Sequence, residues 1–98
     1  MYRIIDSRSS GKTSRLMLLA KETGSAIACM NPHAMRAKAH AYGITDIDFI
    51  SYSDLFSGEY EDTNVMIDEM ETFVAAYIGG KLTGYSLSNE DWEYEINL

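Results

Sequence analysis

Apolar and polar positions alternate along this chain in two kinds of block: short apolar runs, and longer stretches with helical periodicity. The run Ile4-Ile5 ends at Asp6, and a polar loop follows it. Leu16, Leu19, Ala20 and Thr23 then fall at i, i+3, i+4 and i+7, one face of a helix for which Gly24 is a natural stop. Ser25-Ala26-Ile27-Ala28-Cys29-Met30 reads as a buried parallel strand. Asn31 and Pro32 are suited to the N-cap and first position of a second helix, which runs through Tyr42 and stops at Gly43. Met35, Ala39 and Tyr42 are expected on one face of it. Residues 47–52 read as a third strand, with Ser53 capping a single turn through Phe56. Residues 63–67 run straight into the carboxylates Asp68 and Glu69, and a third helix follows with Phe73, Val74, Tyr77 and Ile78 as its stripe. Gly79-Gly80 ends that helix. Residues 82–87 are a fifth strand candidate. Trp92, Tyr94, Ile96 and Leu98 alternate with polar residues, the period of an edge strand.

Strands alternating with helices at this spacing predict an α/β fold: a three-layer sandwich with a mainly parallel sheet of about five strands and helices on both faces. The 98 residues make one domain, spanning 1–98. In such sheets ligands sit at the carboxyl ends of the strands. Three stretches fall there: the loop after Ile5, the Asp68-Glu69 pair, and the polar turn 86–89.

The loop Ser7-Arg8-Ser9-Ser10-Gly11-Lys12-Thr13 lies between a strand and a helix, the context of a phosphate-binding loop. Backbone N–H groups can wrap a chain of phosphates there, and the helix N-terminus behind them adds roughly half a positive charge. Gly11 admits close approach of the backbone, Lys12 can reach β- and γ-phosphates, and the Thr13 hydroxyl can ligate Mg²⁺. A nucleoside triphosphate site is the expectation. The apolar run ending in Asp68-Glu69 looks like a Walker B strand, a resemblance that implies Asp68 for the metal and Glu69 to polarise an attacking water.

Composition narrows this picture. Hydrophobic residues at 46% and charged residues at 23% are values of a soluble globular domain. Arg3, Asp6 and Arg8 interrupt the N-terminal apolar run, so no signal peptide is expected, and no apolar stretch is long enough to span a bilayer. Membrane association is not expected, and the cytoplasm is the expected compartment. Cys29 is the only cysteine, which excludes an intramolecular disulfide framework. Net charge is −7, and it is unevenly distributed. Seven of the eight basic residues precede residue 39, whereas 59–98 carries one Lys against ten acids. An acidic surface repels nucleic acid and steers toward basic protein surfaces, so the isolated chain is not expected to bind DNA directly. A protein partner or homo-oligomer is expected instead. His33, Arg36, Lys38 and His40 make at most a small basic face on the second helix, and a solvated helix is the simpler reading of it.

The loop and the Asp68-Glu69 pair together resemble the P-loop NTPases, in the branch with a catalytic Glu beside the Walker B Asp (helicases, AAA-type ATPases, terminase motors). Ser7 to Thr13 is most similar to the S-R-x-x-G-K-[ST] Walker A loop of terminases. The resemblance covers residues 2 to about 89, and its sharp motifs are confined to the two short stretches. It implies ATP and Mg²⁺ as cofactors. Ser7, Arg8, Ser9, Ser10, Gly11, Lys12, Thr13 and Ser14 would hold the nucleotide, and Thr13 and Asp68 the metal. Glu69 would be the base, with Lys12 and Arg8 assisting catalysis, and Ser88 or Asn89 would sense the γ-phosphate. Two departures qualify the match. Asp6 stands where the first loop Gly belongs, and Ser9 where Gly is frequent; and the chain has no room for a motor, nuclease or lid domain. In size it resembles short P-loop proteins of phages and mobile elements. The functional expectation is a minimal ATPase core acting with a partner or as an oligomer. The alternatives are a non-catalytic acidic binding protein that blocks a host nucleic-acid enzyme or defence system, and a nucleotide-dependent switch.

Overall fold

The computed structural model describes residues 2–5, 11–87 and 96–97. Its elements in chain order are β1 (Ile4–Ile5), α1 (Lys12–Thr23), β2 (Ala26–Cys29), α2 (Pro32–Ala41), β3 (Phe49–Ser51), a 3₁₀ helix (Tyr52–Phe56), β4 (Val65–Ile67), α3 (Met70–Tyr77) and β5 (Ile96–Asn97). The fold is α/β. One sheet has three parallel strands in the order β3-β2-β4, and β1 pairs with β5 as a separate parallel ribbon. Within the larger sheet Ile27 stands opposite Phe49 on one side and Met66 on the other.

The central strand β2 is buried along its whole length, which is why its sequence lacks polar alternation. Its side chains divide between two cores. Ile27 and Cys29 pack with Met17 and Ala20 of α1, Met35 and Ala39 of α2, and Phe49. Ala26 and Ala28 face the other way, against Ile50 and Tyr52, with Leu55, Ile67 and Phe73 alongside. Helices α1 and α2 thus cover one face, and the 3₁₀ helix and α3 the other. The small Ala side chains leave room for the Tyr52 ring, which meets Phe73 edge-on at 5.2 Å between centroids.

Local signals account for the element ends. The Asn31 side chain accepts a hydrogen bond from Ala34 N–H at 3.1 Å and caps α2, with Pro32 in its first turn. At its far end Gly43 N–H donates to His40 O and Ile44 N–H to Ala39 O, while Gly43 takes φ +74°. This is a Schellman turn, with Ile44 folded back onto Ala39 in the core. Ile44 therefore takes the buried place expected for Tyr42, which is exposed. In α1 the most buried side chains are Met17 and Ala20; Leu16 is only partly buried against the core. The turn after β3 is capped by Ser51 rather than Ser53. The Ser51 hydroxyl accepts from Asp54 N–H at 3.3 Å, and the Asp54 carboxylate accepts from Ser51 N–H at 2.9 Å.

Residues 82–87, expected as a strand, carry no regular structure. Of the alternating stretch at the end of the chain, the described part is β5. The remainder of it, with Ser88 and Asn89, lies outside the described residues.

Candidate functional site

The carboxyl end of β4 carries the first half of the site. Asp68 N–H donates to Ala28 O at 2.9 Å, extending the β2–β4 pairing one residue past the strand. Glu69 then turns the chain into α3 with left-handed dihedrals, φ 58° and ψ 72°. That conformation costs a residue with a side chain about 1–2 kcal/mol. Surrounding bonds hold it. Thr72 and Phe73 N–H groups donate to Glu69 O at 3.0 and 3.1 Å. The Tyr52 hydroxyl, brought from the 3₁₀ helix, donates to Asp68 O at 2.7 Å. Glu69 is the N-cap of α3 but makes no side-chain cap, so its carboxylate is left to other partners.

Helix α1 supplies the second half. Its N-cap is Gly11 at φ 84° and ψ 15°, with no side-chain cap and no acidic residue in the first turn. The Ser14 hydroxyl turns back to donate to Gly11 O at 2.9 Å. A Cβ on Gly11 would be strained by the positive φ and would stand 3.4 Å from the Arg15 guanidinium. The result is a helix N-terminus with its partial positive charge uncompensated by its own first turn. From it the Lys12 Nζ reaches to 3.9 Å from Glu69 Oε1. The Lys12 side chain is 24% exposed and that of Glu69 40%, and the pair joins the two motifs across the molecule.

Between them is an open cleft of about 670 Å³. It is lined by Gly11, Lys12, Thr13 and Ser14, by Lys38 and Tyr42 at the end of α2, and by Glu69 and Thr72. Asp68 lies partly buried beside it. Burial first, then the charge of Glu69, pushes the Asp68 carboxyl above the usual carboxylate range, while Lys38 and Lys12 pull it back. The ionised form is therefore costly here unless a cation stands by. The two hard oxygen donors expected to hold a metal are the hydroxyl of Thr13, which lines the cleft, and the carboxylate of Asp68, next in the chain to the cleft-lining Glu69. That suits Mg²⁺, which takes few protein ligands and fills its shell with water and phosphate oxygens. Among the described residues there is no cluster of three or more His, Cys, Asp or Glu that could hold a metal unaided.

Of the residues expected at the site, Gly11, Lys12, Thr13, Ser14 and Glu69 line one cleft, and Asp68 precedes Glu69 in the chain without lining it. Ser7, Arg8, Ser9, Ser10, Ser88 and Asn89 lie outside the described residues. Lys38, Tyr42 and Thr72 line the cleft without having been assigned to it from sequence. The i, i+4 spacing of Lys38 and Tyr42 places them on one helix face, but only the packing of α2 beside α1 shows what that face meets. His33 and His40 are both exposed.

No protein-family model, curated protein or solved structure matches the chain. Among the described residues no helix is long and apolar enough to cross a membrane.

Proposed function

We propose that this chain binds a nucleoside triphosphate, ATP in the first instance, and hydrolyses it with Mg²⁺ as a minimal P-loop ATPase core. The reading includes the finer architecture that goes with such a core, a single P-loop sheet of about five strands. The observation that carries it is the Lys12–Glu69 contact at 3.9 Å, which ties an uncapped helix N-terminus to a strand-end carboxylate pair. Two sequence motifs lying 57 positions apart meet at one cleft.

In this reading the α1 amides and Lys12 bind the β- and γ-phosphates, and Gly11 keeps the approach open. Lys12 exchanges its contact with Glu69 for phosphate, which frees the Glu69 carboxylate to accept a proton from the attacking water. Thr13 and Asp68 hold Mg²⁺, whose chemistry is to neutralise charge on the phosphates. Arg8, by resemblance, stabilises the charge that develops on the transferring group. Ser7, Ser9, Ser10 and Ser14 belong to the cradle, and Ser88 or Asn89 to γ-phosphate sensing, in the same reading. The chain acts with a protein partner or as an oligomer.

Isothermal titration with ATP, ADP and GTP, with and without Mg²⁺, tests this on wild type and Lys12→Ala. A charge-assisted hydrogen bond contributes about 1.5–3 kcal/mol, so the variant should lose roughly tenfold to a hundredfold in affinity with its fold intact. Equal binding by the two proteins would remove this loop as the site. If wild type binds nucleotide yet never releases phosphate, alone or with partners, the non-catalytic binding protein takes the place of the enzyme.

A further inference from the structure

The cleft has a second lysine that the loop motif does not account for. Lys38 is in the last turn of α2, and it lines the cleft together with the α1 N-terminus and Glu69. Among the described residues it makes no ion pair. It lines the cleft from the α2 side, and its charge, with that of Lys12, holds the raised Asp68 carboxyl down. As a solvated residue Lys38 would do no more than complement the C-terminal dipole of α2. Its position does more than that. Two lysines on two helices line one cleft with Glu69, and when Lys12 leaves Glu69 for a ligand, Lys38 is a second cation of that cleft.

We propose that Lys38 is a second phosphate-binding cation of this cleft, contacting the terminal phosphate and making the site select a triphosphate over a diphosphate. The inference rests on the reading of the cleft as a nucleotide site and adds its selectivity. Lys12, at the helix N-terminus, spans the β- and γ-phosphates and so keeps a contact with ADP through the β-phosphate. Lys38, on the part of the cleft that α2 lines, serves the phosphate that only the triphosphate has. A compact ammonium on a long stem is suited to this as a point charge, and Arg can replace its charge at similar reach.

Titration of wild type, Lys38→Ala and Lys38→Arg with ATP, ADP and inorganic tripolyphosphate, each with Mg²⁺, tests it. Lys38 is exposed, so its replacement should leave the fold unchanged. Lys38→Ala should weaken ATP and tripolyphosphate about tenfold, the loss of one charge-assisted contact. ADP should change less than about threefold, and Lys38→Arg should keep most of the wild-type preference. An equal loss for ATP and ADP would reduce Lys38 to a diffuse electrostatic effect and overturn the proposal, as would no loss at all. In those two outcomes wild type still binds and Lys12→Ala still fails, so the nucleotide site itself stands. If wild type binds none of the three ligands, the nucleotide reading falls and this inference with it.

Discussion

Removing one oxygen from Tyr52 tests how the carboxylate turn is held. In Tyr52→Phe the ring keeps its edge-on contact with Phe73, and only the hydroxyl that donates to Asp68 O at 2.7 Å is lost. A net intramolecular hydrogen bond contributes about 0.5–1.5 kcal/mol, and an acceptor left without a partner in a half-buried place costs about 1–3 kcal/mol. The Tyr52 residue is only 5% exposed, so water does not readily replace the hydroxyl. A loss of about 1–2 kcal/mol follows. For a domain of this length each kcal/mol lowers Tm by roughly 4–8 °C. Urea unfolding followed by circular dichroism should show a lower midpoint at unchanged m-value, since the surface exposed on unfolding is the same. Tyr52→Ala, which also empties part of the core, should lose about 3–5 kcal/mol. If Tyr52→Phe unfolds within about 0.3 kcal/mol of wild type, well under the net value of one hydrogen bond, the hydroxyl does not clamp the turn. The left-handed Glu69 would then be held by the α3 amides alone.

Two further outcomes are expected. Glu69→Gln keeps shape but cannot accept a proton, so phosphate release should fall by about 10²-fold or more with Mg-nucleotide binding retained; turnover equal to wild type would remove Glu69 as the base. At alkaline pH, burial raises the Cys29 thiol from 9.0 to about 11, with Asp68 adding to the shift. The folded state therefore favours the neutral thiol: its contribution is complete below pH 9 and is lost as pH rises to about 11. The loss is about 2–3 kcal/mol, and the Cys29→Ala variant should show a correspondingly shallower fall in urea midpoint over that range. Parallel pH profiles for the two proteins would refute the assignment to Cys29. Tyr52, raised to about 12 by burial and then Asp68, continues the same trend above pH 10 in both proteins.

Much of this architecture could be read from the chain because its signals are local. Asn31 followed by Pro32 starts α2, Gly24 and Gly43 supply the left-handed residues that end α1 and α2, and the unbroken apolar run at Ala26–Cys29 marks a strand covered on both faces. The order of elements from β1 to α3, and the carboxylate pair at the end of β4, needed nothing beyond periodicity and caps. Local signals stop where two surfaces must choose each other. Which stripe of α1 is buried depends on what Ile27 and Phe49 leave open, and Met17 fits there. Tyr42 obeys the helical spacing of Met35 and Ala39, yet the Schellman turn brings Ile44 into the core and leaves Tyr42 at the cleft. Residues 82–87 have the composition of a strand, but a short apolar run becomes one only if a partner edge accepts its hydrogen bonds. The β1–β5 pairing, the Tyr52 bond to Asp68 and the Lys12–Glu69 contact join residues far apart in sequence. No spacing rule connects such positions; the packing of helices onto both faces of a parallel sheet does, because it sets where each strand end and helix start must meet.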